Sequence, residues 1–302
     1  MSIEVKQVTK LYGEQKALNN ISFIVNTGEV VGFLGPNGAG KSTTMKIITG
    51  FIPPTEGEVF IEGLDIAENL MEVRKLIGYL PEHNPLYLDM YVKEYLQFVA
   101  GIYNLTNKNQ RVADIVNLTG LDKESHKKIG ALSKGYRQRV GIAQVLIHDP
   151  KVLILDEPTS GLDPNQIIEI RNLITDIGKE KTIILSTHIM QEVQAICDKI
   201  IILNNGEIVA NDETQHIQNH QKYDKATILV EFNKSINAKD LLTIKGIINT
   251  KKIDNNNWII ESSIENDIRE DIFNFAVKNN ISVLSMQKKT KSLEDVFQEL
   301  TQ

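Results

Sequence analysis

Apolar and polar positions alternate through "SIEVKQV" and again through "NISFIVNTGEVVGFLG". That period of two belongs to strands with one buried face. The Asn26-Thr27-Gly28 step between them reads as a turn. Residues 3 to 34 therefore predict a small antiparallel element feeding a buried strand, "EVVGFL". A glycine-rich loop follows, then a helix from about Lys41 to Thr49; beyond Pro53-Pro54, "GEVFIEG" predicts another strand. From about residue 85 to 149 the apolar spacing changes to three and four, in "VKEYLQFVAGIYN", "QRVADIVNLTG" and "YRQRVGIAQVLIHD". This predicts a helical insertion.

Continuous apolar runs return at "KVLILD" and "TIILST", each followed by a helical pattern, "NQIIEIRNLITDIG" and "MQEVQAICD". Such alternation predicts a parallel sheet covered on both faces. "KIIILNNGEIVAND" predicts a hairpin on Asn205-Gly206. Residues 211 to 225 are polar and unpatterned, which places a domain boundary there. Past it, "TILVEF", "NWIIES" and "ISVLSM" read as strands, and "AKDLLTIKG", "ENDIREDIFNFAVKNN" and "SLEDVFQELT" as helices. The expected division is residues 1–215 and a small α+β domain over 226–302, of ferredoxin-like type.

Composition narrows the function classes. The 302 residues carry a net charge of −6, against a general nucleic-acid binder, which would show a basic face. Cys197 is the single cysteine, so no internal disulfide can form; a buried, inert thiol is its expected state. The start, "MSIEVKQVTK", has no apolar leader pattern, and no apolar run approaches the ~20 residues of a membrane span. A role at a membrane would then need another chain to cross it.

The candidate chemistry is phosphate chemistry. "GPNGAGKS" is G-x-x-x-x-G-K-S, comprising Gly35, Pro36, Asn37, Gly38, Ala39, Gly40, Lys41 and Ser42. It lies between a predicted strand and a predicted helix, the context of a P-loop. Its N–H groups would cradle a phosphate, Lys41 would reach the β- and γ-phosphates, Ser42 would ligate Mg²⁺, and Thr43 would touch the α-phosphate. "VLILDEP" ends a buried strand with two carboxylates. Ligands gather at the carboxyl ends of parallel strands, so this pair is expected beside the P-loop. Asp156 would hold Mg²⁺ through water, and Glu157 would orient or deprotonate the attacking water. A strand end meeting solvent is the alternative for the pair taken alone. His188 ends the "TIILSTH" strand at the same edge and is expected at the γ-phosphate; the other five histidines have no such setting. In "LSKGYRQRV", Ser133 and Gly135 stand at a helix start, where an anion can bind or Ser133 can simply cap the helix.

In this order, the motifs resemble those of the ATP-binding subunit of ABC transporters. The resemblance implies an α/β P-loop NTPase fold with a mixed sheet, a helical subdomain and an antiparallel β-subdomain. It implies that Tyr12 in "KLYG" stacks on adenine, that "SGLD" with Asp163 is the D-loop, and that His188 is the switch histidine. "LSKGYRQRV" falls at the signature position, where Ser133, Lys134, Gly135 and Tyr136 would grip the ATP held by a second copy. Two departures stand out. The common L-S-G-G-Q is here L-S-K-G-Y, so Lys134 adds a charge and Tyr136 removes an amide. Glu82, in "GYLPEHNPLY", occupies the position of a glutamine that binds Mg²⁺ and links to the transmembrane partner; an ordinary loop acid is the alternative. The implied cofactors are ATP and Mg²⁺. The implied partners are a second copy and a separate permease of ABC-2 type, with no nucleic acid, and the implied location is the cytoplasmic face of the cell membrane. The ending "SLEDVFQELT" is similar to that of ABC-2 exporters, and "LSKGYRQRVGIAQVLIHDP" with "GYLPEHNPLY" is similar to the gliding-motility-associated subunits of Bacteroidota. The competing functions are a soluble ABC ATPase of another class and an ATP-binding scaffold without turnover.

Overall fold

The computed structural model describes residues 1–187, 189–214, 216, 225–263, 267–289 and 293–301. The chain divides into two units, Met1–Thr214 with the residues from Phe297 onward, and Gln215–Val296.

Two sheets build the first unit. In the smaller, β1 (Ile3–Tyr12), β2 (Gln15–Val25), β4 (Glu56–Ile61) and β5 (Leu64–Asp65) run antiparallel in the order β2-β1-β4-β5. The larger joins β3 (Val30–Leu34), β6 (Ile77–Leu80), β7 (Val152–Asp156), β8 (Thr182–Ser186), β9 (Lys199–Asn204) and β10 (Glu207–Glu213) in the order β10-β9-β3-β8-β7-β6. All its neighbours are parallel except β10, which pairs antiparallel with β9 through the Asn205-Gly206 turn. Both turn residues have positive φ, 49° and 80°, as a two-residue turn matched to strand twist requires.

Every residue of β3, β7 and β8 is buried. Their unbroken apolar runs fit a sheet covered on both faces, each buried Val, Leu or Ile contributing about 1.5–3 kcal/mol. Helices α1 (Lys41–Ile48), α2 (Leu70–Leu76), α6 (Pro164–Gly178) and α7 (Met190–Ile196) belong to this layer. One core joins the sheets: Val5, Phe23 and Val59 pack with Phe33, Met45, Ile154 and Ile201, and the rings of Phe23 and Phe33 lie 5.6 Å apart. Between β6 and β7 the described elements are helical: α3 (Val92–Ile102), α4 (Lys108–Leu118), a 3₁₀ turn at Ile129–Ala131 and α5 (Lys134–Leu146).

The second unit holds β11 (Lys225–Phe232), α8 (Ala238–Leu241), β12 (Ile247–Lys252), β13 (Asn257–Ser263), α9 (Arg269–Lys278) and β14 (Val283–Lys289). Its antiparallel sheet runs β12-β13-β11-β14. This is the β-α-β-β-α-β arrangement of ferredoxin-like units. Val230, Phe232, Trp258, Ile260 and Ile272 form its core.

Two expectations are corrected. Strand β12 was not foreseen, and the helix read over "AKDLLTIKG" covers only Ala238–Leu241. As an edge strand, β12 is exposed or half-exposed at every position, so it carries no buried alternation to read. The last helix, α10 (Leu293–Thr301), was assigned whole to the C-terminal domain, yet from Phe297 it groups with the first unit. There the Leu300 carbonyl accepts a hydrogen bond from Asn204 Nδ2 at 3.4 Å. An amphipathic pattern announces a buried face, not the unit that buries it.

Candidate functional site

Strand β3 delivers the chain to Gly35, and α1 begins at Lys41. Gly40 has φ +109°, and a Cβ there would stand 2.7 Å from the carbonyl oxygen of Ala17 and 2.6 Å from the Leu18 side chain. Only glycine fits this bend. Lys41 is buried, and its ammonium donates to the carbonyls of Gly35 (2.6 Å) and Pro36 (3.2 Å). Burial draws its pKa below the ordinary lysine value, while Glu157, Asp156 and Glu82 pull it back up. Glu82 is thus electrostatically coupled to the P-loop lysine. Ser42 is exposed at the first turn of α1, Ala39 is buried, and Asn37 and Gly38 are exposed.

Asp156 and Glu157 stand at the end of β7. As expected, they share a cleft with the P-loop, although β8 lies between β3 and β7. That intervening strand supplies a residue the sequence reading missed. The Ser186 hydroxyl donates to Asp156 Oδ1 at 2.5 Å and accepts from the Glu157 backbone N–H at 3.0 Å. Asp156 and Ser186 are both buried. Glu157 has φ 50°, a left-handed conformation uncommon for a side chain of its size.

A cleft of about 800 Å³ gathers these groups. It is lined by Tyr12, Gly35, Pro36, Asn37, Gly38, Gly40, Lys41, Ser42, Thr43, Glu82, Asp156 and Glu157. It also takes in Ser160 of the "SGLD" segment, the Asn205-Gly206 turn and Phe297, none of which the sequence placed in the cleft. Tyr12 is half exposed, with Lys10 Nζ 5.4 Å from its ring centroid. His188 lies outside the described residues, as does Ser292 at the start of the quoted ending. Beside His188, Thr187 donates to Glu192 Oε2 at 2.8 Å and accepts from the Ile189 N–H at 3.1 Å.

The signature residues do not line this cleft. Ser133 caps α5, its hydroxyl accepting from the Tyr136 N–H at 3.4 Å. Ser133, Lys134 and Tyr136 are exposed. The Lys134 ammonium lies over Gly161, on the loop that leads to Asp163. Asp163 caps α6, accepting from the Gln166 N–H at 3.0 Å, and Gln166 packs against Gly135. The α5 start and the D-loop therefore form one surface, with a separate pocket lined by Gly135, Tyr136, Arg139 and Asp163.

A third depression, about 570 Å³, is built from aromatic residues of the helical insertion and its surroundings. Phe51, Tyr79, Tyr87, Tyr95, Phe98, Tyr103 and His148 line it. Phe98 and Tyr87 are exposed, and Tyr87 follows Glu82 on the same loop.

The donor set fits a nucleotide that brings its own Mg²⁺. Among the described residues no group of three His, Cys, Asp or Glu is placed to hold a metal. Mg²⁺ bound through one or two protein oxygens and the substrate phosphates needs none. Ser42 and Asp156 line the cleft beside a glycine bend and a buried lysine. The ABC transporter family model matches residues 18–160. The bacitracin transport ATP-binding protein BcrA of Bacillus licheniformis is 33% identical over 309 residues, covering 99% of this chain and 96% of its own. The linearmycin resistance ATP-binding protein LnrL of Bacillus subtilis is 31% identical over 308 residues, covering 99% and 98%.

The chain belongs to the ABC transporter family. It is an ATP-binding subunit that uses ATP with Mg²⁺ and hydrolyses it. Among solved structures, the dimeric post-hydrolysis state of the ATP-binding cassette MJ0796 with ADP and Pi superposes with a TM-score of 0.64 at 28% identity, covering 70% of this chain and 98% of that one. Cassettes of this family dimerise and pair with transmembrane permeases. No described helix here is long and apolar enough to cross a membrane. Cys197 is buried, and burial pushes its thiol pKa up, as expected of an inert cysteine.

Proposed function

We propose that the chain is the ATPase of an exporter, and that two copies close head to tail on ATP to move a separate ABC-2-type permease. One observation carries the dimer reading: the α5 start stands apart from the chain's own P-loop cleft, with Ser133, Lys134 and Tyr136 exposed and Gly135 buried between them, at a helix N-terminus able to bind a polyanion. A second copy would supply the phosphate. Ser133 and Gly135 would bind it, with Lys134 adding charge from its place over Gly161 and Tyr136 replacing the usual amide. In the first copy, Tyr12 would hold the base and the Gly35–Thr43 loop the phosphates. Ser42, Asp156 and Glu82 would hold Mg²⁺, while Glu157 activates water and His188 meets the γ-phosphate.

The exporter reading is supported by relatives named for bacitracin transport and linearmycin resistance. The permease would dock a helix or loop in the aromatic groove, which shares the Glu82–Tyr87 loop with the nucleotide cleft. Service in gliding motility rests on the subfamily resemblance of the signature and Glu82 segments. Deleting the gene in its own host and scoring both gliding and drug sensitivity separates the two roles.

The deciding experiment is light scattering of Glu157→Gln with and without Mg²⁺-ATP. Conversion of monomer to dimer, abolished by adding Ser133→Arg, is the expected result. A protein that binds ATP yet stays monomeric sinks the homodimer.

A further inference from the structure

The cleft has two ends, and the sheet order tells them apart. Strands β8 and β7, with Ser186 and the two carboxylates, lie on one side of β3. Strand β9 and the Asn205-Gly206 turn lie on the other. That turn is fixed to the P-loop and to β2: the Gly206 N–H donates to the Ala39 carbonyl at 3.0 Å, and its carbonyl accepts from the Asn19 N–H at 2.8 Å. The carboxylate side is the phosphate and metal end. The turn side is where the rest of a nucleotide must go.

Phe297 belongs to the turn side. Leu300, nearly one helical turn further along α10, is hydrogen-bonded to Asn204, the residue before the turn. Phe297 and Tyr12 are the two aromatic residues lining the cleft. A phenyl ring has nothing to offer a phosphate or a cation held by oxygens. What it offers is a flat apolar face, and the matching ligand chemistry is the face of a purine.

We propose that Phe297 is a second base-contacting residue, which with Tyr12 holds the purine and makes the C-terminal helix part of the nucleotide site. This rests on the ATP reading of the cleft given above. The contact has no hydrogen-bonding group, so it favours any purine over none and does not separate adenine from guanine. Phe297 directly follows Val296, where the second unit ends.

The test is calorimetric titration of the full chain with Mg²⁺ and either the β,γ-imido analogue of ATP or inorganic tripolyphosphate, which has no base. Phe297→Ala should weaken the analogue about 5- to 150-fold, the range of base–aromatic stacking, and leave tripolyphosphate within about twofold. The imido analogue of GTP should weaken in parallel. Equal losses for the analogue and tripolyphosphate would mean a structural role and overturn the proposal. So would an unchanged affinity, or a tighter one showing that the ring obstructs the site. Phe297→Trp guards against misfolding: its emission should respond to the analogue and not to tripolyphosphate, with wild type, whose sole tryptophan is Trp258, as control. An emission blind to both ligands sinks the proposal. A wild type that binds tripolyphosphate but no purine nucleotide sinks the ATP reading with it.

Discussion

The nucleotide cleft and the aromatic groove lie in the same unit but are made by different means. Backbone makes the first: a glycine bend that tolerates no Cβ, the ends of three buried strands, and carbonyls that hold the lysine. The buried Ser186 hydroxyl then ties the Asp156 carboxylate to the Glu157 backbone N–H. Side chains make the second, with Tyr87 and Phe98 exposed on helices and loops of the insertion. A backbone-built site resists change and performs one chemistry. A side-chain-built surface can be re-specified residue by residue without disturbing that chemistry, as suits docking to a particular partner.

The comparison breaks most severely at Lys41. Lys41→Ala removes the buried cation of the P-loop and should lower turnover by about 10²–10³-fold, the scale of losing one preorganised charge-stabilising group. Phosphate release assays check this, and near wild-type turnover would show that the cleft is not the working site. Ser186→Ala is next. It takes the hydroxyl donor from Asp156, while the Glu157 N–H keeps the backbone carbonyl of position 186 at 3.1 Å, and should cost about 10–100-fold in turnover, as outer-shell changes do. Because Ser186 acts through the carboxylates, ATP affinity measured without Mg²⁺ should stay near wild type. A fall in that affinity instead would point to a collapsed strand end.

The sequence made the backbone-built site legible and left the side-chain-built one unread. Gly35 to Ser42 and Asp156-Glu157 are local strings, and the strand–loop–helix pattern places them at one sheet edge. Ser186 was invisible because its partners lie 30 and 29 residues away and depend on β8 inserting between β3 and β7. Phe297 stands in "SLEDVFQELT", which reads as a helix and as an exporter-like ending but carries no sign of a place in the cleft. The groove was hidden for a related reason. Tyr95 and Phe98 scan as ordinary helical periodicity and Tyr87 as part of a loop, and their convergence with Tyr103 and His148 requires the insertion to fold first.

Phe98→Glu sharpens the contrast from the other side. The ring is exposed, so the substitution should change stability by less than about 0.5 kcal/mol and leave the ATPase activity of the isolated chain unchanged. Co-purification with the permease should fall by roughly thirtyfold, the effect of losing an aromatic hot spot of about 2 kcal/mol. Full retention of the complex would remove the groove from consideration as the docking site.

The smallest expected effect is the pH response of the groove. His148 stacks on Tyr103 at 3.9 Å, and its Nε2 meets the Ile77 carbonyl at 3.0 Å. That contact requires the proton on Nε2, which leaves Nδ1 buried and unprotonated with no hydrogen-bond partner. Burial lowers the pKa, the Ile77 carbonyl opposes it, Arg111 and Lys181 push it further down, and Asp149 pulls it up. The folded chain therefore takes up this proton at lower pH than the unfolded chain, whose histidine titrates near 6.5. Between the folded value and about 6.5 the unfolded state binds more protons, so stability is lost as pH falls through that window and is unaffected above it. One proton limits the slope to about 1.4 kcal/mol per pH unit. His148→Gln should flatten the dependence of Tm below about pH 6.5 relative to wild type, the other histidines cancelling in the difference. An identical slope in both proteins would mean that His148 protonates in the groove as freely as in the unfolded chain, and that the aromatic lining does not exclude water from it.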